Sequence, residues 1–252
     1  MKFISFLRMM SSPKISAEFS PSLFNPYYFV RKGIVRGIAK HASFLKGRVV
    51  DFGCGSKPYR TLIECDEYIG VDFENSGHPH ENEQIDVYYD GKHLPFQDAS
   101  VDAVLSSEVF EHVFNLPHIL NELNRILKPG GQILITCPFV WKEHEEPYDY
   151  ARYTLFALDN MMTASGFEKV AQEKGGNFPE VIVQLFILML YDRFYNKANT
   201  FRITRLIYTF FFIFLPNVLG IIFSILFSNQ KKMYLNNIIL YRKCRNTTTS
   251  DC

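Results

Sequence analysis

Short apolar runs alternate with segments of helical spacing through the middle of the chain. The runs are rich in β-branched residues and are bounded by turn residues, which is typical of strands buried in a sheet. They predict strands at Gly47–Phe52, Tyr68–Phe73, Ile85–Tyr89, Val101–Ser106, Gln132–Cys137, Phe167–Glu173 and Tyr234–Tyr241. The segments between them predict a helix beginning at Pro58, one over Pro117–Leu127, and one from Thr154 to Gly166. This alternation predicts an α/β fold, a mostly parallel sheet with helices on both faces.

Segments of different character flank and interrupt this alternation. A Ser- and Pro-rich arm and a basic amphipathic helix over Pro26–Leu45 precede it, and an apolar insertion separates its last two strands. The helix predicts either a cover for the edge of the domain or a membrane-facing surface. We divide the chain into an arm with its helix (1–46), a core (47–175), an insertion (176–232), and a last strand with its tail (233–252).

The composition excludes disorder as the main state. The 252 residues are 47% hydrophobic with a net charge of +1. Residues 1–50 carry a net +8, residues 51–192 a net −15 and residues 193–245 a net +9. Basic ends of this kind predict a polyanionic partner, either nucleic acid or anionic lipid. The five cysteines are widely spaced, which predicts reduced thiols in a cytosolic compartment, and the short stretch Met1–Met10 does not predict a secretory signal.

The strongest chemical signal follows the first predicted strand. Asp51 and Phe52 lead into the turn Gly53-Cys54-Gly55, where backbone N–H groups can approach a ligand closely. Asp72 ends the next strand, and a carboxylate there can accept hydrogen bonds from both hydroxyls of a ribose. The dinucleotide-binding motif has a third glycine where this chain has Pro58. The carboxylate of Asp51 would also repel a pyrophosphate. A cofactor with a ribose and a positive charge, such as S-adenosylmethionine, fits better.

With these residues the sequence resembles the class I S-adenosylmethionine-dependent methyltransferases of the type 11 branch, over roughly Gly47–Glu173. The matching blocks are Asp51–Gly55, Asp72, Asp90–Phe96, Val101–Ser107 and Leu127–Gly131. The resemblance implies a Rossmann-like seven-stranded sheet with an antiparallel last strand. It also implies a set of cofactor-binding residues: Asp51, Gly53, Cys54, Gly55, Asp72, Phe73, Asp90, Gly91 and Ser107.

A polar and aromatic loop follows the fifth predicted strand, where this fold places the cofactor's methyl group. His144 is the first candidate for the base that removes the acceptor's proton, Glu145 is the second, and His112 is a further one. Arg152 is a candidate for holding an anionic substrate group, and Tyr148 and Tyr153 for stacking on a sugar or ring. The alternatives are a polar lid with internal salt bridges and, for Glu111-His112, a helix-start pair facing solvent. The loop also resembles one in a subgroup associated with cell-envelope glycan synthesis.

His78-Pro79-His80-Glu81 is the one metal-like motif weighed from the sequence. Ligands so close together along a proline-containing loop rarely converge without a further partner. We therefore predict no metal site.

The insertion contains an uncharged stretch, Leu206–Gln230, with basic residues on both sides. Pro216-Asn217 divides it into apolar halves, Leu206–Leu215 and Val218–Phe227, each about half a bilayer core in length. This favours a re-entrant or in-plane helical hairpin at the cytoplasmic face of a membrane; a kinked single span and a buried dimer interface are the alternatives. Val181–Leu190 is a shorter apolar run that would extend the membrane face.

These patterns predict a methyltransferase that acts on an oxygen of a lipid or lipid-linked glycan at an anionic membrane surface. The acidic core around the site speaks against nucleic acid as the partner. The alternatives are a soluble methyltransferase acting on a quinone or metabolite, and a non-catalytic membrane scaffold that keeps the fold. The acceptor, the choice between O-, N- and C-methylation, and the oligomeric state stay open.

Overall fold

The computed structural model describes residues 15–16, 18–73, 84–198 and 201–245. The apolar stretch Met1–Met10, the motif His78–Glu81 and the end of the tail lie outside these residues. The chain divides into two compact units. One comprises the described residues up to Val35 together with Gly175–Leu235, and the other comprises Arg36–Lys174 together with the chain from Asn236 onward. The N-terminal arm is therefore grouped with the insertion, where the predicted division kept the two apart.

The unit of Arg36–Lys174 and the chain from Asn236 onward, which we call the sheet unit, contains a seven-stranded sheet. The strand order is β3-β2-β1-β4-β5-β7-β6. The strands are β1 (Arg48–Phe52), β2 (Glu67–Phe73), β3 (Val87–Tyr89), β4 (Val101–Ser107), β5 (Leu127–Pro138), β6 (Phe167–Gly175) and β7 (Asn236–Lys243). The pairs β1–β2, β1–β4, β2–β3 and β4–β5 are parallel, and β5–β7 is antiparallel. The predicted Rossmann-like sheet with an antiparallel last strand is confirmed.

Helices cover both faces of this sheet because side chains alternate along each strand. Ile239 and Tyr241 of β7 belong to a buried core with residues of α2 (Leu116–Ile126) and α3 (Leu155–Ala164). Ile238 points to the opposite face, where it meets Gly37 of α1 (Tyr28–His41). A Cβ on Gly37 would lie 2.7 Å from Cγ2 of Ile238, so the helix approaches the strand closely because this position is glycine.

Two predicted helical features differ in the structure. The apolar residues of α1 are buried inside the protein, so this helix does not present the membrane-facing surface that was one of its two interpretations. The helix expected from Pro58 is reduced to a short 3₁₀ helix, Arg60–Leu62, because β2 already begins at Glu67. Thr154 does cap α3, since its Oγ1 accepts a hydrogen bond from the backbone N–H of Ala157.

The other unit, which we call the hairpin unit, is built on two antiparallel helices, α4 (Phe178–Ala198) and α5 (Arg202–Leu226). The backbone N–H of Phe178 donates to the carbonyl of Gln230, so the start of α4 lies beside the residues that follow α5. At the other end, the rings of Tyr195 and Tyr208 lie 6.0 Å apart. These contacts show that α4 and α5 form a helical hairpin.

The helix α5 is continuous, so the expected hairpin of two short halves that break at Pro216 is wrong. A π-helical turn, Phe210–Phe214, precedes the proline, and the N–H of Leu215 donates to the carbonyl of Phe210 five residues back. The wider turn accommodates Pro216, which cannot donate a backbone hydrogen bond. At 25 residues the helix is about 37 Å long, enough to cross a bilayer core of about 30 Å.

The expectation of reduced cysteines holds at three described positions and fails at a fourth. Cys54, Cys65 and Cys137 are free thiols, whereas Cys244 is disulfide-bonded.

Candidate active site

The turn after β1 shapes one wall of a cavity in the sheet unit. Gly53 and Gly55 have φ angles of +73° and +44°, which L side chains rarely adopt. A Cβ on Gly53 would lie 2.3 Å from Cγ2 of Val109, whereas Gly55 has open space in front of it. The backbone N–H of Gly55 donates to Oδ2 of Asp72 over 2.9 Å, so the carboxylate sits directly beside the turn.

The cavity has a volume of about 580 Å³ and opens at the carboxyl ends of the parallel strands. Its lining includes the glycine turn, the acidic end of β2, and a set of polar and aromatic side chains from the loops after β4 and β5. The lining residues named in the predictions are Gly53, Gly55, Asp72, Phe73, Gly91, His112, Glu145 and Tyr148.

Asp51 lies under the glycine turn instead of in the cavity lining. Its side chain is buried, and Oδ2 accepts a hydrogen bond from the Tyr68 hydroxyl over 2.7 Å. Burial raises the pKa of Asp51 to about 7, and the neighbouring Asp72 adds to that rise while the Tyr68 hydrogen bond opposes it. A cation placed next to this carboxylate would favour its ionised form.

Three other predicted cofactor residues also lie outside the lining. Cys54 is buried, and burial raises the pKa of its thiol above the ordinary value, so it acts as a small packing residue. Asp90 turns its carboxylate back to the N–H groups of His93 and Lys92, which lower its pKa. The hydroxyl of Ser107 shares a hydrogen bond with that of Thr136 at 2.8 Å.

The loops after β4 and β5 bring the predicted catalytic residues together. His112 Nε2 lies 3.3 Å from an oxygen of Glu145, and both residues line the cavity. His144 lies behind His112, with the two rings 4.7 Å apart, and is not among the lining residues. Burial, and then the neighbouring His112, lower the pKa of His144 below its usual 6.5, which favours the neutral ring. The first candidate for the base therefore lies farther from the cavity than the other two.

Glu111 is fully buried, so its interpretation as a solvent-facing helix-start residue is wrong. Burial, together with the charge of Glu108, raises the pKa of its carboxyl well above the usual range. Glu108 itself lines the cavity with a φ of +56°, and its two oxygens accept hydrogen bonds from Thr136 and Asn236 at 2.7 Å each. Sequence reasoning missed Glu108, whose conspicuous feature is a strained backbone that shows only in the structure.

Arg152 is engaged inside its own loop. Its guanidinium binds both oxygens of Asp149, at 2.5 and 2.6 Å, and donates to the backbone carbonyls of Lys142 and Ala151. Burial alone would raise the pKa of Asp149, but these bonds hold it well below its usual value. Asp149 also accepts from Nδ1 and the backbone N–H of His144. Arg152 thus orders the loop, as in the alternative of a lid with internal salt bridges, and is not positioned as a free anion clamp.

The aromatic rim differs in part from the prediction. Tyr148 lines the cavity as expected, whereas Tyr153 packs against the core of the sheet unit. Tyr150 and Phe114, which were not singled out, line the cavity as well, with their rings 5.2 Å apart and edge to face. Their exposed faces can hold a ring or an apolar acceptor.

The cavity fits a nucleoside cofactor with a cationic tail. Asp72 can take the ribose hydroxyls, Gly53 and Gly55 let the backbone approach, and Phe73 and Gly91 line the side where the resemblance places the adenine. Asp51 lies beneath the turn, where a cationic tail would favour the ionised form of its carboxyl.

Known proteins support this assignment. The methyltransferase domain family matches residues 50–135. A protein of Mycolicibacterium smegmatis named "Probable S-adenosylmethionine-dependent methyltransferase" is 31% identical over 119 residues, which are 44% of this chain and 46% of that protein. The phthiotriol/phenolphthiotriol dimycocerosates methyltransferase 1 of Mycobacterium ulcerans is 33% identical over 109 residues, 39% of this chain and 40% of that protein. The chain thus spans less than half the length of these relatives.

Among solved structures, the [4+2]-cyclase SpnF superposes with a TM-score of 0.54 at 16% identity, over 86% of this chain and 82% of that one. At this identity the likeness shows the fold alone. The family match and the relatives named above identify residues 50–135 as part of a methyltransferase domain of the type 11 branch, whose cofactor is S-adenosylmethionine.

Proposed function

We propose that this protein transfers a methyl group from S-adenosylmethionine to a hydroxyl oxygen of a lipid or lipid-linked glycan at a membrane surface. The observation that carries the proposal is the pairing, in one chain, of the methyltransferase cavity with the apolar hairpin α4–α5.

The two walls of the cavity have complementary chemistry. The cofactor, when bound, supplies an electrophilic methyl group; Asp72 and the glycine turn would hold its nucleoside part. On the other wall, Glu145 and the Nε2 atom of His112 lie 3.3 Å apart in the lining, and either could take the acceptor's proton. Tyr148 and Tyr150 at the rim would position the acceptor for in-line attack.

The surface of α5 supports a membrane as the site of action. Only 17% of its most apolar 18 residues is buried. A core helix of a soluble protein would be mostly buried, and a signal sequence would lie near the N-terminus. The exposed apolar side chains continue onto α4, for example at Ile182 and Met189. An apolar surface of this extent marks a membrane or protein contact.

The interior of the hairpin unit, beneath its apolar surface, contains a set of paired polar side chains as well as apolar ones. Glu180 is buried, forms an ion pair with Lys32 at 2.5 Å, and accepts from the Ser224 hydroxyl at 2.8 Å. Gln184 donates to the carbonyl of Pro26, and Asn217 donates to the carbonyls of Leu23 and Asn25. Polar groups turned inward and apolar groups turned outward are the arrangement expected of helices in lipid.

Basic residues flank both ends of α5. Arg202 and Arg205 at its start and Lys231 and Lys232 just beyond its end are exposed. Lysine and arginine beside an apolar helix attract anionic lipid headgroups. The name of the Mycobacterium ulcerans relative indicates a lipid acceptor for that protein, and this supports a lipid acceptor here.

Methyl transfer is tested with methyl-labelled S-adenosylmethionine and host membranes, separating the organic phase from the aqueous one. We expect label in the organic phase, lost in Asp72→Asn. Label confined to the aqueous phase would overturn the lipid acceptor in favour of a soluble one. Binding of the cofactor with label in neither phase would favour the scaffold.

Membrane binding is tested separately by flotation with vesicles of phosphatidylcholine and phosphatidylglycerol. We expect the parent to float and the double variant Ile207→Lys, Phe211→Lys to stay at the bottom, since both side chains are exposed on α5. The matched control is Phe156→Lys, an exposed apolar residue of α3 in the sheet unit. A parent that does not float but forms a dimer broken by the double variant would assign the surface to a second copy of the chain.

A further inference from the structure

Two imidazole rings beside the cavity have their Nδ1 atoms held by hydrogen-bond acceptors. Nδ1 of His112 lies 2.9 Å from the carbonyl oxygen of Tyr148, and Nδ1 of His144 lies 3.1 Å from Oδ2 of Asp149. A carbonyl and a carboxylate both require the proton on Nδ1, so in each neutral ring the lone pair is on Nε2. Nη2 of Arg152 also approaches Nδ1 of His144, but at 3.4 Å it is farther away than the carboxylate of Asp149, whose contact we take to decide the tautomer. Metal-ligating histidines are oriented in this way, by a carbonyl or carboxylate on the nitrogen that does not bind the metal.

The space next to these lone pairs contains further acceptors. His112 Nε2 lies 3.8 Å from Oε1 of Glu111 and 3.3 Å from Oε2 of Glu145. Within the described chain, neither His112 Nε2 nor the fully buried Oε1 of Glu111 has a hydrogen-bond partner. An unpartnered buried acceptor is costly. A single cation at the meeting point would satisfy these acceptors together.

We propose that Glu111, His112 and His144 bind a divalent transition-metal cation at the wall of the cavity. One ligand atom from each residue lies within 4.8 Å of the other two. Metal–ligand bonds of about 2.0–2.2 Å hold ligand atoms about 3.0–3.5 Å apart, so small side-chain rotations close the site. Two nitrogen donors and one oxygen donor favour Mn²⁺, Fe²⁺, Co²⁺ or Zn²⁺ over Mg²⁺ and Ca²⁺, which prefer oxygen.

This assignment replaces the expectation of no metal, which considered only the His78–Glu81 motif. The ligands come from two loops: Glu111 and His112 lie in the 3₁₀ helix Phe110–His112 after β4, and His144 lies in the loop after β5. Asp149 is a positioning residue, since it holds His144 and is itself held by Arg152.

The role of the cation rests on the proposed function. A hydroxyl bound to a divalent cation loses its proton more readily, which makes its oxygen a better nucleophile. The oxygen then forms a bond to the methyl carbon, the carbon–sulfur bond breaks, and its electron pair stays on sulfur as a neutral thioether. With His112 occupied by the metal, Glu145 receives the hydroxyl proton.

The binding experiment uses the full chain, treated with EDTA and exchanged into metal-free buffer. It is titrated with Co²⁺, measured by calorimetry and by the visible absorption of the bound ion. We expect one site in the parent, and at least about tenfold weaker binding in Glu111→Gln and in His144→Asn. The control is His93→Gln, whose ring is largely exposed on another loop and keeps parental Co²⁺ affinity. Circular dichroism and binding of S-adenosylhomocysteine show whether each variant is folded; His112→Asn replaces any that is not.

The outcomes separate the metal site from the proposed function. A parent that binds no Co²⁺, or folded variants that bind it like the parent, would overturn the site. Co²⁺ binding without methyl transfer to any membrane acceptor would support the site and count against the proposed function. Methyl transfer unaffected by EDTA would support the proposed function and overturn the catalytic role of the cation. EDTA inhibition that is reversed by Co²⁺ or Mn²⁺ in the parent, but not in Glu111→Gln, would support both.

Discussion

Replacing Asp51 by asparagine should make the sheet unit more stable at alkaline pH while weakening cofactor binding. Asp51 is 4% exposed at the end of β1. Burial raises the pKa of this carboxyl to about 7, with a further contribution from Asp72. Asparagine has the same shape, stays neutral at every pH, and its side-chain oxygen can still accept the hydrogen bond from Tyr68.

The size of the effect follows from the pKa difference between the unfolded and folded states. The pKa rises from 3.8 to about 7 on folding, and each pKa unit corresponds to about 1.4 kcal/mol, which makes about 4 kcal/mol. Because the folded pKa is the higher one, this contribution is fully present below pH 3.8 and is lost as the pH rises through 7. The free energy of unfolding of Asp51→Asn, relative to that of the parent, should therefore rise by up to about 4 kcal/mol between pH 4 and pH 8.

The assay is urea unfolding in mild detergent, without cofactor, followed by tryptophan fluorescence. The chain has a single tryptophan, Trp141, which lies in the sheet unit and so reports on that unit. Asp66→Asn is the matched control, since Asp66 is exposed and its substitution should leave the pH dependence as in the parent.

Cofactor affinity should move in the opposite direction. The substitution removes the negative charge expected to face the positive charges of S-adenosylmethionine, so we expect binding at pH 8 to weaken at least about tenfold. The reasoning would be refuted by parent and Asp51→Asn curves that run parallel from pH 5 to pH 8, or by unchanged cofactor affinity in the variant.

Three further changes test the loops and the hairpin. Gly53→Ala should lower the melting temperature by several degrees more than Gly55→Ala. Both positions have positive φ, but only at Gly53 would the added Cβ lie 2.3 Å from a methyl carbon of Val109. Equal melting temperatures of the two variants would contradict this. Asp149→Asn should lower kcat at least about tenfold while the affinity for S-adenosylhomocysteine stays within about twofold. The substitution weakens the hydrogen bond that orients His144 but leaves the glycine turn and Asp72 unchanged. A loss of cofactor binding would indicate a general folding defect instead. Gly220→Leu should destabilise the hairpin unit by about 1–3 kcal/mol, because a Cβ there already lies 2.6 Å from the ring of Phe29; proteolysis of α4 and α5 no faster than in the parent would refute it.

The sequence by itself predicted the sheet and the cofactor wall because both depend on local patterns. A buried parallel strand needs a short apolar run, and a turn with positive φ needs glycine, so Gly53, Gly55 and Asp72 can be recognised from neighbouring residues. The helix expected at Pro58 failed for a non-local reason: the next strand begins too soon for a helix to form. Asp51 was identified as part of the site, but its burial beneath the turn and its hydrogen bond to Tyr68 depend on the pairing of β1 with β2.

Tertiary structure alone decided the arrangement of the catalytic loops and of the hairpin. His112 and His144 are far apart along the chain, and they meet because parallel pairing of β4 and β5 brings both loops to one edge of the sheet. Glu111 follows the same strand as His112, but only packing shows that it is fully buried with an unpartnered oxygen. Pro216 predicts a break when only its own backbone is considered, yet the π-helical turn before it keeps α5 continuous. Local composition determines which segments are apolar, whereas the partners of a buried polar group depend on residues distant in sequence, which only the folded chain brings together.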